Sequence, residues 1–333
     1  MCNWRTQLKF DPLQPLLRSG NIAIQHFVRQ DLLGEDSDPI DPLWNLPEVR
    51  RILGRQLANG SWPRAGKLKH SAINYNLIET WRQFRFLVQQ FGFTRKHPGT
   101  ERSAEYLFSC QTKQGDIRGM LANQYATYYT GAIMALLIQA GYENDPRILR
   151  GFEWLLGIRQ SDNGWSVPII THHFDRATMY RLTSEYAEPV EPDRSKPFSH
   201  NATGMVIRAF AAHPTYRRAE AAVIAAQLLK SRFFQQDSYT SYRSADYWTR
   251  FQYPFWWNNL VAALDSVTLI GASMDDEQIE RAVLWLRNHQ LGNGLWDTSY
   301  SSRQAPRQDT DKKKEMRLWV SLAVCRVLRR LFP

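Results

Sequence analysis

Only three cysteines, Cys2, Cys110 and Cys325, stand in 333 residues, far apart and outside any CxxC spacing. Neither a disulfide framework nor a zinc site follows from them, and a reducing, cytoplasmic setting is the expectation. The longest apolar run, around 132–138, falls far short of the roughly 20 residues that span a bilayer. The opening MCNWRTQLKF lacks the continuous apolar segment of a secretory signal. GxxxxGK[ST], GxGxxG, GxSxG and HExxH are all missing, so no ready-made phosphate cradle, serine nucleophile or zinc-protease helix is in view.

Aromatic residues are abundant instead. They make up 13% of a chain that is 43% apolar, with 12 Trp, enough for a large core and for lined cavities. The formal charge of +10 favours anionic partners, or else describes an Arg-rich solvated surface. Positive charge is scattered, apart from Lys312 to Lys314 and Arg326, Arg329 and Arg330. Nucleic acid is therefore not an expected partner, while the RVLRRLF end could rest peripherally on an anionic membrane.

The chain repeats itself. RQSDNGWSVP (159–168) has relatives in RQLANGSWP (55–63) and HQLGNGLWDTS (289–299). A weaker copy, CQTKQGDIRG (110–119), carries Ile117 in place of Trp. Gln56, Gln111, Gln160 and Gln290 are 55, 49 and 130 residues apart. The last gap leaves room for a worn copy at LLKSRFFQQDSY (228–239). An amphipathic helix precedes each copy: in DPRILRGFEWLLGIR, Asp145 is an N-cap, Pro146 suits the first helical position, and Ile148, Leu149, Phe152, Leu155 and Leu156 form one face. A second helix follows each copy, apolar nearly all round, as in NQYATYYTGAIMALLIQAG, and such a helix is buried on every side. The unit is an outer helix, a Gln-Gly-Trp turn and an inner helix. Five or six units with fully apolar inner helices predict an all-α fold, a closed α/α toroid around a central cavity, as one domain over 1–333. Residues 1–45 form a helical lead-in, and 169–199 a long loop that could act as a lid. The turns read as structural staples, with the Gln amide serving backbone groups at helix ends and the Trp packed over it.

The QLANGSW, QSDNGW and QLGNGLW turns resemble the QW repeats of squalene–hopene cyclases and related triterpene cyclases, and equivalent turns of protein prenyltransferase β subunits. The resemblance runs from about Pro47 to Phe332. It implies a toroid and ligands of isoprenoid size. The DxDD acid motif of bacterial triterpene cyclases is missing, and neither Cys110 nor Cys325 stands in the D-x-C zinc arrangement of the prenyltransferases. Neither catalytic set carries over.

In such a ring, inner-helix N-termini converge on one mouth and favour anions. The starts are polar and aromatic: Lys69, His70 and Tyr75; Tyr125, Tyr128 and Tyr129; His200 and Asn201; Arg250, Tyr253, Trp256, Trp257 and Asn258. They read as caps and core, or as a binding site for an apolar or amphipathic small molecule with an anionic head, whose aromatic walls could stabilise a carbocation. The 169–199 loop carries His172, His173 and Asp175, available for acid–base work, or solvated; Glu185 and Glu188 beside them could supply a proton for cyclisation. No metal site is indicated, with Mg²⁺ expected only if the ligand is a diphosphate. Asp265, inside an apolar helix, needs a partner, expected to be an Arg bracing the ring.

The leading functional reading is an isoprenoid-handling protein, a cyclase or transferase. A polysaccharide lyase-like enzyme, acting through residues such as His200, Asn201, Tyr253 and Asn258, would need an open cleft. A non-catalytic toroid, serving as a binding or scaffold protein, would have a cavity filled by its own side chains.

Overall fold

A computed structural model describes residues 4–35, 39–66, 70–239, 245–299 and 309–333. Its α-helices are α1 (Leu13–Leu17), α2 (Ile22–Val28), α3 (Pro47–Leu53), α4 (Tyr75–Phe91), α5 (Pro98–Ser109), α6 (Thr127–Leu137), α7 (Pro146–Gly157), α8 (Arg176–Ser184), α9 (His200–Ala212), α10 (Glu220–Ser231), α11 (Leu260–Ile270), α12 (Glu277–Asn288) and α13 (Asp311–Leu331). One four-residue extended segment, β1 (Met120–Asn123), lies before α6. The fold is all-α.

The local chemistry of α7 follows its sequence. Asp145 caps it by accepting from the Arg147 N–H, and Pro146 fills the first position, where no N–H is needed. Ile148, Phe152 and Leu155 are buried, whereas Leu149 is 39% exposed. The inward stripe is thus narrower than the pattern suggested. In α6 and α9 nearly every side chain is buried, as their lack of a polar face requires.

Packing order gives the architecture. Helix α4 packs on α6, α6 on α9, α9 on α11 and α11 on α13; α13 then meets α2, and α2 meets α4. Six inner helices close a ring. Outside it, α1 packs on α2, α3 and α5 on α4, α7 on α6, and α10 on both α9 and α11, with α12 against α10.

The turns between outer and inner helices share one bonding scheme. The Trp62, Trp165 and Trp296 indole N–H groups each donate to the carbonyl ten residues earlier, that of Ile52, Leu155 or Leu286, at 2.7 Å. Those carbonyls lie in the last turn of α3, α7 and α12, where no intrahelical donor is due. The backbone N–H at the Trp position donates inward to a hydroxyl on the next inner helix: Trp62 to Thr80, Ile117 to Thr130, Trp165 to Thr203 and Trp296 to Ser321, at 2.9–3.1 Å. The Gln side chain then reaches sideways. Gln56 Nε2 donates to the Gly60 and Gly99 carbonyls, and Gln111 Nε2 to those of Gly115 and Arg147, tying each turn to the start of the next outer helix. Gln160 donates to Asp193 and Lys196 in the long loop.

Close approach explains the glycine. Gly60 has φ +85°, and a Cβ there would stand 2.0 Å from the Arg102 carbonyl oxygen on α5. The stretch 232–239 turns by other means: Arg281 on α12 donates to the Phe233 carbonyl, and Lys230 pairs with Asp276, the N-cap of α12.

Candidate functional site

The ring is not an empty barrel. Residues 251–257 leave the wall and run through the lumen, held by the guanidinium of Arg208 on α9. Its Nη atoms donate to the carbonyls of Phe255 (3.4 Å), Trp256 (3.0 Å) and Trp257 (2.9 Å). Trp256 meets Trp81 edge-on with ring centres 4.7 Å apart, Trp81 meets Tyr129 at 5.1 Å, and Tyr128 stacks on Trp257 at 5.8 Å. These rings pack on one another and divide the lumen in two.

On the side of the inner-helix N-termini lies an apolar cavity of about 200 Å³, lined by Leu121, Tyr128, Ile169, Met179, Met205 and Trp257 among others. Helix α8 contributes Met179 and Thr183 to its wall. The residues after α8 are pinned to the mouth: Asn123 donates to the Ala187 carbonyl, Gln124 to that of Glu188, and Val190 N–H to the Gln124 side chain. Asn201 lines the cavity, is 6% exposed, and neither its amide oxygen nor its amide nitrogen has a partner among the described residues. Behind the lining, Asp237 is buried and accepts from the Ser199 hydroxyl (2.7 Å) and the Asn201 backbone N–H (3.0 Å). The His200 ring is 3.8 Å from Asp237 and tilted over Trp248. Burial holds the His200 pKa below its usual range, against the pull of Asp237. Because Ser199 is bonded to the carboxylate and not to the imidazole, the trio is a helix-start network without an activated serine.

On the opposite side, Arg85 and Arg208 stand inside the ring. Asp265 bonds Arg330, joining α11 to α13, and Arg326 pairs with Asp31 at 2.6 Å. The need of Asp265 for an Arg partner is met.

The candidate residues are distributed as follows. Tyr128, Trp257 and Asn201 line the apolar cavity, and His200 and Asn258 lie beside it, the Asn258 amide donating to the His200 carbonyl at 3.1 Å. Tyr129 and Trp256 belong to the dividing cluster. Tyr253 faces the other side, its hydroxyl donating to the Gln89 carbonyl near the end of α4 and accepting from Arg326. A rim position is thereby corrected, because 251–257 runs inward before α11 begins. Tyr125 donates to Glu191 (3.0 Å), His70 meets Tyr180 edge-on, Tyr75 lies under Arg64, and Arg250 is exposed. Lys69 lies outside the described residues. Asp175 caps α8 by accepting from the Thr178 N–H at 2.7 Å, so the segment 169–199 is partly helical and not the irregular loop expected. His172 bonds the Glu191 carbonyl, and His173 and Glu185 are exposed. None of these four lines the cavity. Among the described residues, no three His, Cys, Asp or Glu side chains are grouped to hold a metal, and no helix is long and apolar enough to cross a membrane.

No protein-family model and no curated protein matches the chain. Solved structures do. A protein from Actinoplanes aligns at 16% identity and TM-score 0.31, over 88% of this chain and 99% of its own. The type II terpene cyclase MstE from Scytonema aligns at 12% and 0.34, over 87% and 98%. A variant of MstE in complex with its substrate, geranylgeranyl dihydroxybenzoate, aligns at 11% and 0.32, over 88% and 97%. TM-scores this low do not establish a shared fold, and the ring rests on the helix packing above.

Proposed function

We propose that this chain is an isoprenoid-handling protein that seats the apolar end of a prenyl-type ligand in the cavity beside α8. The observation that carries the reading is the lining: aliphatic and aromatic side chains surround one buried, unpartnered amide, that of Asn201. A site of that kind takes an apolar body and orients it by one polar contact. The volume of about 200 Å³ lies under the roughly 300–1,000 Å³ of sites that enclose a whole drug-sized ligand. The cavity thus suits one end of a chain, with any anionic head and its Mg²⁺ left toward the mouth. No carboxylate lines it among the described residues, so binding or transfer of the chain is better supported than cyclisation begun by a carboxylic acid. A cavity with so apolar a lining does not suit an acidic polysaccharide.

The test is thermal unfolding with farnesol, farnesyl diphosphate or trigalacturonate. Both prenyl compounds should raise the melting temperature and the sugar should not. A melting temperature unmoved by either prenyl compound removes the reading.

A further inference from the structure

We propose that the cavity between Arg85 and Arg208 binds a small monovalent anion, a halide or a single carboxylate group. Arg85, on α4, is among the fully buried side chains at 2% exposure. Its guanidinium lies 4.4 Å from the centre of the Trp256 ring and 5.3 Å from that of Trp81. Ring faces attract the charge but offer nothing in the guanidinium plane, and Arg85 Nε and Nη1 have no hydrogen-bond partner among the described residues. Arg208 donates its Nη atoms to the 255–257 carbonyls, yet its Nε is also without a partner among the described residues.

Both side chains line one cavity with Trp81, Gln89, Gln139 and Ser266. Asp265 also lines it and attracts Arg208 through space, but its carboxylate is bonded to Arg330 and not to Arg208 or Arg85. Buried cations without a bonded carboxylate are expensive unless something neutralises them. Burial pushes the Arg85 pKa down to about 9, with repulsion from Arg208 adding, and that of Arg208 down to about 10. Both stay charged at neutral pH, and both gain from a counter-ion. The space is about 30 Å³, roughly twice what one water needs. It fits a chloride or one carboxylate group and is too small for a diphosphate. A larger cavity sharing Gln89, Gln139, Phe255 and Asp265 adjoins it and provides a way in.

The experiment compares thermal unfolding in sodium bromide, chloride and formate with sodium gluconate at equal ionic strength. It adds bromide anomalous diffraction from the wild-type protein. The small anions should raise the melting temperature saturably, by roughly 2 °C at ten times the dissociation constant, and gluconate should not. Arg85→Met should lose the dependence. The diffraction should show a peak between the two guanidinium groups, and that arm stands even if Arg85→Met fails to fold. Equal melting temperatures in all four salts, or no bromide between Arg85 and Arg208, overturns the proposal.

Discussion

The Gln290 amide donates to the carbonyl of Phe10 at 2.8 Å and, through Oε1, accepts from the backbone N–H groups of Lys9 and Phe10 at 3.1 Å. The last turn of the chain is thereby joined to the segment that precedes α1. Gln56 and Gln111 do the same for neighbouring hairpins; Gln290 does it across the seam and closes the ring. Removing the amide breaks these part-buried bonds, at about 1–3 kcal/mol in all. Gln290→Ala should lower the melting temperature by roughly 2–4 °C. It should also make the residues before α1 the first site of limited proteolysis. Unchanged stability and protection would mean that the seam is held by other contacts.

The glycine of the turn can be tested against a helical glycine. Gly294 has φ +84°, and a Cβ would sit 2.7 Å from the Asp11 carbonyl oxygen, whereas a Cβ at Gly157 meets nothing within 4 Å. Gly294→Ala should cost at least roughly 1–3 kcal/mol, as backbone strain plus a clash. Gly157→Ala, at the end of α7, should be neutral or slightly stabilising. Chemical denaturation of the two variants reads the difference directly, and similar stabilities would contradict the close approach.

Inward hydroxyls should behave alike around the ring. Thr80→Val and Thr203→Val each leave the N–H of a buried tryptophan without its acceptor. A loss of about 1–3 kcal/mol is expected for each, measured by urea unfolding. A neutral result at both positions would show that the hydroxyls are bystanders.

His200 sets a pH dependence. Burial lowers its pKa below the usual 6.5, with Asp237 opposing and Arg232 adding to the depression. The unfolded chain therefore takes up a proton at a pH where the folded chain does not. Stability is full above the unfolded value and falls as pH drops from about 6.5 toward the folded pKa. His200→Gln should flatten melting temperature against pH in that window. It should not abolish the slope, because His97 is shifted the same way, also by burial. An unchanged profile would place the titration elsewhere.

The ring and its staples were legible because they recur: one Gln-Gly-Trp turn followed by a helix without a polar face is ambiguous, and three with a fourth that has Ile117 for Trp are an architecture. The hydroxyl acceptors were not, since a single Thr in an apolar helix such as NATGMVIRAFAA has no period to betray it. Arg208 sits in that same run and Arg85 in RQFRFLVQQ, and a lone Arg between apolar neighbours was the available signal of an interior charge. Asp175 illustrates the opposite error. Next to two histidines it suggested acid–base chemistry, yet Asp followed three residues later by Thr178 at the start of RATMYRLTS is a helix cap. The path of 251–257 through the lumen depends on tertiary bonds from Arg208 and Gln89, which no local pattern carries.

An apolar chain is the proposed occupant of the cavity beside α8. Ala202 lines it and is 2% exposed, and Ala202→Phe should fill it at a cost of about 1–3 kcal/mol of overpacking. The decisive measurement is a titration of farnesol against tryptophan fluorescence, with Trp257 in the wall as reporter, for wild type and for Ala202→Phe shown by circular dichroism to be folded. Saturable one-to-one binding by the wild type, lost in the variant, is the predicted result. No binding by the wild type, or binding of equal strength by the filled variant, would contradict it.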